Sequence, residues 1–416
     1  MNGPDGKGIV KQGYARPLDI RHGRVDMSHG GGGRAMVQLI TELFARHLGN
    51  EYLAQGNDGT CLPQGAGRLV VSTDSHVVSP LFFPGGDIGG LSVHGTVNDV
   101  AVMGATPLYL TAGFILEEGF PLADLARIVE SMARAAAEAG VKLVAGDTKV
   151  VEQGKGDGVF ITTTGIGFLP EGRHLSGDQA RPGDVLLVSG SVGDHGMAIM
   201  SQRENLTFDA PILSDTAALN GLTAAMLATG AAIRVMRDPT RGGLAATINE
   251  IAQQSGVGIH LDETAIPVTP EVAAACELLG LDPLNIANEG KLIAVCAAED
   301  SERLLAAMRA HPLGRQAALI GQVVADRVPV LQRLAQRQAG QDGARQQLKH
   351  ERGLAPAAAA APGRRASSSP RGKFARRFRA GHPAGTPPAA CPAARRTRPA
   401  HRASSGVPAA PATSAA

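Results

Sequence analysis

Between Arg34 and Leu48 the apolar residues Met36, Leu39, Ile40, Leu43 and Phe44 recur at three- and four-residue intervals, which predicts a helix. The run Leu69-Val70-Val71-Ser72-Thr73 predicts a strand ending at Asp74. Val93, Val97, Val100 and Ala101 share one face of a helix predicted over 91–103, and 108–116 reads as a strand. Residues 122–139 form a long amphipathic pattern closed by Gly140, which suits a left-handed C-cap. Strands follow over 141–145, ending at Gly146-Asp147, and over 159–168. The turn Arg181-Pro182-Gly183-Asp184 then opens a second unit. It holds predicted strands over 185–188, 232–236, 258–261, 292–296 and 317–324, with helices over 195–202, 215–228, 242–254 and 271–279. Strands and helices alternate throughout, so the expected class is α/β. The expected divisions are a disordered extension (1–26), an N-terminal α/β domain (27–180), a C-terminal α/β domain (181–326) and a disordered tail (327–416).

Composition sharpens this picture. Aromatic residues make up only 3% and Trp is absent, so the core must be built from Val, Ile, Leu and Ala. The four cysteines, Cys61, Cys276, Cys296 and Cys391, are widely spaced and form no CxxC, which argues against a zinc site or a disulfide framework. No run of 18 apolar residues exists, and the polar first 25 residues lack a signal-peptide core. The cytoplasm is the expected compartment, without a membrane partner. Charge is split along the chain. From Leu331 onward there are 16 Lys/Arg and 2 acidic residues, whereas the preceding 330 residues hold 24 basic and 36 acidic ones. The overall +2 conceals an acidic body with a basic Ala/Pro/Arg-rich tail. An acidic body repels phosphate, so no nucleic-acid partner is expected.

Several polar segments interrupt the apolar pattern. Asp74 in Ser72-Thr73-Asp74-Ser75, Asp99 after Asn98, and Asp147 in Gly146-Asp147-Thr148-Lys149 are carboxylates beside apolar runs. Such oxygens suit a hard cation like Mg²⁺, and equally suit turns and caps. The Asn98-Asp99 pair lies inside an apolar helical pattern, where burial without a partner is costly. His29-Gly30-Gly31-Gly32-Gly33 precedes a helix and offers backbone N–H groups to an anion, or serves as a linker. Asp238-Pro239-Thr240-Arg241-Gly242-Gly243 joins a strand to a helix, and Asn288-Glu289-Gly290-Lys291 precedes a strand.

Taken in order, these segments, with Pro80–Gly86, Gly113–Gly119 and Gly193-Asp194-His195-Gly196, resemble the hydrogenase expression/formation HypE family. That family sits within the aminoimidazole-ribonucleotide-synthetase-like ATP enzymes, beside selenophosphate synthetase and thiamine-monophosphate kinase. The resemblance runs from about Met27 to Ala325. It implies a ferredoxin-like N-terminal α/β domain, a C-terminal α/β domain, and a homodimer paired through the N-terminal domains. It implies Mg²⁺ held by Asp74, Asp99 and Asp147, and ATP held by His29, Gly30, Gly31, Gly32, Gly33, Asn98, Asp147, Asp238 and Arg241. Lys149 and Glu289 are the implied catalytic residues. The implied reaction is ATP-dependent dehydration of a carboxamide on a C-terminal cysteine to a thiocyanate, the source of the cyanide ligands of [NiFe] hydrogenase. The implied partners are the carbamoyltransferase HypF and the HypC–HypD complex. A selenophosphate-synthetase reading would want a reactive Cys beside a Lys near the glycine segment, which has neither. A non-catalytic ATP-binding maturation partner is the remaining alternative.

The family pattern ends in Pro-Arg-Ile-Cys, whereas here family-like sequence stops after Asp326. Three readings of the tail stand: a shifted reading frame in a GC-rich gene, a basic extension, or a functional replacement using Cys391. The first predicts a chain that keeps an ATP site but lacks its covalent acceptor.

Overall fold

The computed structural model describes residues 16–326, apart from 56, 58, 207 and 209. The tail, with Cys391, lies outside the described residues. In chain order the elements begin with α1 (Gly33–Leu39), a π-turn (Ile40–Phe44) and α2 (Ala45–Leu48), which make one helical run. Next come β1 (Arg68–His76), β2 (Phe82–Phe83), β3 (Gly86–Asp87), α3 (Ile88–Val102), β4 (Thr106–Glu117), α4 (Leu122–Ala139), β5 (Lys142–Val151) and β6 (Val159–Leu169). The second half holds β7 (Val185–Val188), α5 (Asp194–Arg203), α6 (Asn220–Ala228), β8 (Ile233–Arg237), α7 (Gly243–Ser255), β9 (Gly258–Leu261), α8 (Pro270–Leu279), β10 (Ile293–Cys296), α9 (Ser301–Ala310) and β11 (Ala318–Val324).

Two sheets organise these elements. The first has strand order β1-β6-β4-β5, with β4 and β5 parallel and the other pairs antiparallel. The parallel pair needs a crossover, and α4 provides it. Leu125, Ile128, Val129 and Met132 of α4 are fully buried against the sheet residues Leu110, Leu116 and Ile161. The helix ends as its sequence requires, with Gly140 at φ 69° in the left-handed region. The second sheet is antiparallel in the order β8-β10-β7-β11-β9. Its short central strands β7 and β10 are buried at every position, which explains their unbroken apolar sequence.

Helix α3 is buried on nearly all sides, the behaviour of a helix that is apolar all round. It packs on β1 and β6 and also touches α6 and β8 of the second half. Asp87 caps its N-terminus by accepting the N–H groups of Gly89 and Gly90. Among the described residues, no helix or second sheet packs on the other face of the first sheet. Leu69, Val71 and Ile115 lie there 60%, 55% and 42% exposed, among threonines 73, 111, 162 and 164.

Several expectations need correction. Residues just before Met27 are ordered rather than part of a disordered extension. Val25 is 1% exposed and pairs by backbone with Phe120 and Gly119, so its side chain joins the core. Asp74 and Asp147 do not end their strands: β1 runs on to His76 and β5 to Val151. Residues 215–219 form no helix, and α6 begins only at Asn220.

Candidate active site

An open cleft of about 770 Å³ runs between β1, α3 and the second half of the chain. Asp74, Asp99, Asp238, Arg241 and Glu289 all line it, so five of the residues singled out from sequence meet in one place. Asp74 lies on β1 facing α3, with its carboxylate 3.9 Å from His76 Nε2. Asp99 lies one turn from the end of α3 and accepts a 2.6 Å hydrogen bond from Ser72 Oγ. Asp238 and Arg241 stand on the turn between β8 and α7. There Gly242 and Gly243 adopt φ values of 77° and 64°, so the chain can enter the helix with its N-terminal amides close to the cleft.

The acids repel one another. Burial, followed by repulsion from Asp99, pushes Asp238 up to about 7. Burial also raises Asp99, against the pull of its Ser72 hydrogen bond. Glu289 is raised well above the ordinary carboxylate range by burial and then by Asp238, Asp215, Asp74 and Asp99. A cleft of this kind gains stability from any cation that enters it. Its oxygen-only donors fit a hard divalent ion. Among the described residues, however, no group of three or more acidic, His or Cys side chains is disposed to hold an ion unaided.

Asn98 is not a cleft residue. Its side-chain amide donates to Ala217 O at 3.0 Å and Glu289 O at 3.2 Å, and its oxygen accepts the Leu219 N–H at 2.7 Å. The buried polar group is fully used in tying α3 to the second half.

The remaining predicted residues gather at the opposite edge of the first sheet. Asp147 and Lys149 lie on β5, both 63% exposed, and pair with each other at 3.0 Å. That hydrogen bond holds Asp147 below its ordinary pKa. The register row Asp147–Gly113–Thr162–Ser75 places β5 three strand spacings from β1, about 14 Å. The glycine segment is here too. Gly30 packs so closely on β5 that a Cβ would stand 2.6 Å from Val150 N. His29 is buried, and its Nδ1 accepts the Asp26 N–H at 3.0 Å in a capping box. Next to Asp147 a pocket of about 200 Å³ is lined by Met36, Ile40, Phe44, Leu53 and Phe114 among others.

Sequence reasoning passed over His76 and His195 as cleft residues, and Ser72 as the hydrogen-bond donor to Asp99. Ser72, Asp74 and His76 alternate on one face of β1, a period-two signal that was available once the strand was extended. His195 pairs through Nδ1 with Ser214 Oγ at 2.8 Å, which no local pattern reveals.

Models of the AIR synthase related proteins match the chain in two parts, the N-terminal domain over residues 56–169 and the C-terminal domain over 181–333. A carbamoyl dehydratase HypE of Cupriavidus necator is 68% identical over 320 residues, 77% of this chain and 91% of that protein. The chain belongs to the HypE family. The described fold agrees with it. A crystal structure of HypE in complex with ATP is 53% identical, covers 72% of this chain and 89% of that one, and has a TM-score of 0.70. A HypE–HypF complex is 53% identical, covers 70% and 94%, and has a TM-score of 0.62. Among the described residues, no helix is long and apolar enough to cross a membrane.

Proposed function

We propose that this HypE-family chain is an ATP-dependent carbamoyl dehydratase that converts a cysteine-bound carboxamide to a thiocyanate. The observation that supports this most is the meeting of Asp74, Asp99, Asp238, Glu289 and Arg241 in one cleft at the N-terminus of α7. Carboxylates to hold a cation, a guanidinium and helix amides for phosphate, and one more carboxyl are the parts that amide activation by a triphosphate requires.

The amide oxygen attacks the γ-phosphorus of ATP, and the bond to ADP breaks with its electron pair leaving on ADP. One amide proton leaves as the O-phosphorylated imidate forms. Loss of the second N–H proton, with departure of inorganic phosphate, leaves the carbon–nitrogen triple bond. Glu289 lines the cleft, and burial makes its carboxylate form a stronger proton acceptor than an ordinary carboxylate, which suits it to take an amide proton. Arg241 and Gly242, at the N-terminus of α7, line the cleft, where they would meet the departing phosphate. A Mg²⁺ ion bound by Asp74 and Asp99 would offset phosphate charge.

In this reading Asp147, Lys149 and His29–Gly33 act from a second copy. The open sheet face with Leu69, Val71 and Ile115 supports a homodimer, since unpaired apolar sheet faces seek cover. With a two-fold axis along the strands, β1 of one copy lies over β5 of the other. The apolar pocket beside Asp147 then suits the nucleobase. HypF and the HypC–HypD complex are the proposed donor and acceptor partners.

The test supplies a synthetic peptide ending in Pro-Arg-Ile-Cys, carboxamidated on sulfur, with Mg-ATP. Intact-mass measurement should show loss of one water with release of ADP. No mass change at saturating ATP would refute the assignment.

A further inference from the structure

The segment 213–219 runs between the two halves of the molecule without regular secondary structure. Ser214 Oγ pairs with His195, and Thr216 Oγ1 pairs with His94 Nδ1 at 2.9 Å. The Ser214 N–H donates to Pro84 O at 2.8 Å, which ties the segment to the first half. Asp215, between them, bonds to a different part of the structure. Its side chain is only 3% exposed and does not line the cleft.

Among the described residues, the hydrogen-bond partners of that carboxylate all belong to the turn carrying Glu289. Asp215 Oδ1 accepts the Glu289 N–H at 3.1 Å, and Oδ2 accepts the Gly290 N–H at 3.2 Å. Oδ2 also takes the Lys291 ammonium at 3.0 Å. Lys291 stands 3.7 Å from Asp194, which in turn is bonded by Ser191 Oγ. Gly290 permits the close approach: a Cβ there would fall 1.7 Å from Asp215 O. On the other flank, Asn98 holds Glu289 O, as described above. A buried carboxylate that leaves water costs free energy unless fully partnered, and this one is partnered by a single turn. Such a geometry is directional. It fixes where a backbone goes rather than only adding contact area.

We propose that Asp215 is the positioning residue for Glu289: its two backbone hydrogen bonds set the Glu289–Gly290 turn and so aim the Glu289 carboxyl into the cleft. The catalytic part of this role rests on the dehydratase reading; the positional part does not. Asp215 touches neither nucleotide nor amide. Its loss therefore moves a reacting group while leaving the phosphate-binding wall of Asp74, Asp99 and Arg241 in place.

The experiment uses the full chain and the carboxamidated peptide with Mg-ATP, and compares wild type, Asp215→Ala, Asp215→Asn and a control, Leu304→Ala. Leu304 is fully buried in α9 and lines no part of the cleft. Asp215→Ala should lower kcat by about a hundredfold, the scale of a reacting group displaced by about 1 Å, with the KM for ATP unchanged. Asp215→Asn keeps a carbonyl oxygen for the turn and should recover about tenfold of that loss, the scale of one retained hydrogen bond. Leu304→Ala should lose thermal stability and keep kcat. Hydrogen exchange is the second readout: the Glu289 and Gly290 amides should exchange faster in Asp215→Ala and not in the control. A rise in KM at constant kcat, or equal kcat losses in Asp215→Ala and the control, overturns the proposal. If the wild type leaves the peptide unchanged, the dehydratase reading falls. The exchange measurement then decides alone, and unchanged protection at Glu289 and Gly290 overturns the proposal.

Discussion

Asn98 Oδ1 accepts the Leu219 N–H at 2.7 Å, across 121 residues of sequence. The same side chain donates to Ala217 and Glu289, so one amide on α3 binds two segments of the other half. Burial of a polar residue inside an apolar helix is affordable here because all three bonds are made.

Replacing Asn98 with Ala leaves the Leu219 N–H and two carbonyls without that partner. The expected cost is about 2–4 kcal/mol, the range for orphaning buried backbone groups. Urea denaturation of the variant should show it as a lower midpoint. A change under about 0.5 kcal/mol would mean that water replaces the amide.

Asp99→Ala should weaken Mg-ATP binding at least tenfold by calorimetry, because a shared cation loses a carboxylate in a cleft already crowded with phosphate. Binding of ATP without Mg²⁺ should weaken less, since removing Asp99 also removes repulsion. An equal loss with and without Mg²⁺ would place Asp99 outside the cation site.

Asp238 gives the ligand-free protein a distinct pH dependence. Its ordinary pKa of 3.8 is raised to about 7 in the folded chain, chiefly by burial and then by Asp99. The folded state therefore holds a proton that the unfolded chain has released, and this stabilisation is complete below about pH 4 and lost as pH rises through about 7. Thermal midpoints should fall between pH 5 and pH 8 for the wild type. In Asp238→Asn the fall should be smaller by a few degrees, because the amide cannot ionise. Parallel curves for the two proteins would show that Asp238 titrates normally.

Val71→Asp places a charge on the open sheet face without entering the core. In sedimentation the wild type should run as a dimer and the variant as a monomer at micromolar concentration. A wild-type monomer would remove the proposed pairing.

The sequence made some of this fold and site plain and left other parts invisible, for identifiable reasons. Helix α4 was readable to its last residue because one buried face repeats through five turns and a glycine stops it. Strand β7 was readable because every position is buried. Asp74 and Asp147 were misjudged as strand ends because polarity normally marks the end of a strand. In fact both lie on edge strands, where a side chain reaches solvent or the cleft while the backbone stays paired. The stretch 215–219 read as the first turn of α6, yet its polar groups are drawn off by His94, Asn98, Glu289 and Gly290. Those bonds are long-range, so no local spacing announces them. The gathering of five predicted residues in one cleft was foreseeable from family resemblance alone, since they come from four separate stretches of sequence.

The separation of the candidate nucleotide residues onto opposite edges of one sheet carries a genetic consequence. In a two-fold dimer each reaction centre draws its β1 edge from one polypeptide and its β5 edge from the other. Under the proposed pairing, a subunit altered at Asp99 and a subunit altered at Asp147 should each be impaired as homodimers. Mixed together they should rebuild one whole centre and gather the damage into the other, so two such alleles coexpressed in one cell should restore up to half the output of a wild-type pair for every hybrid that forms.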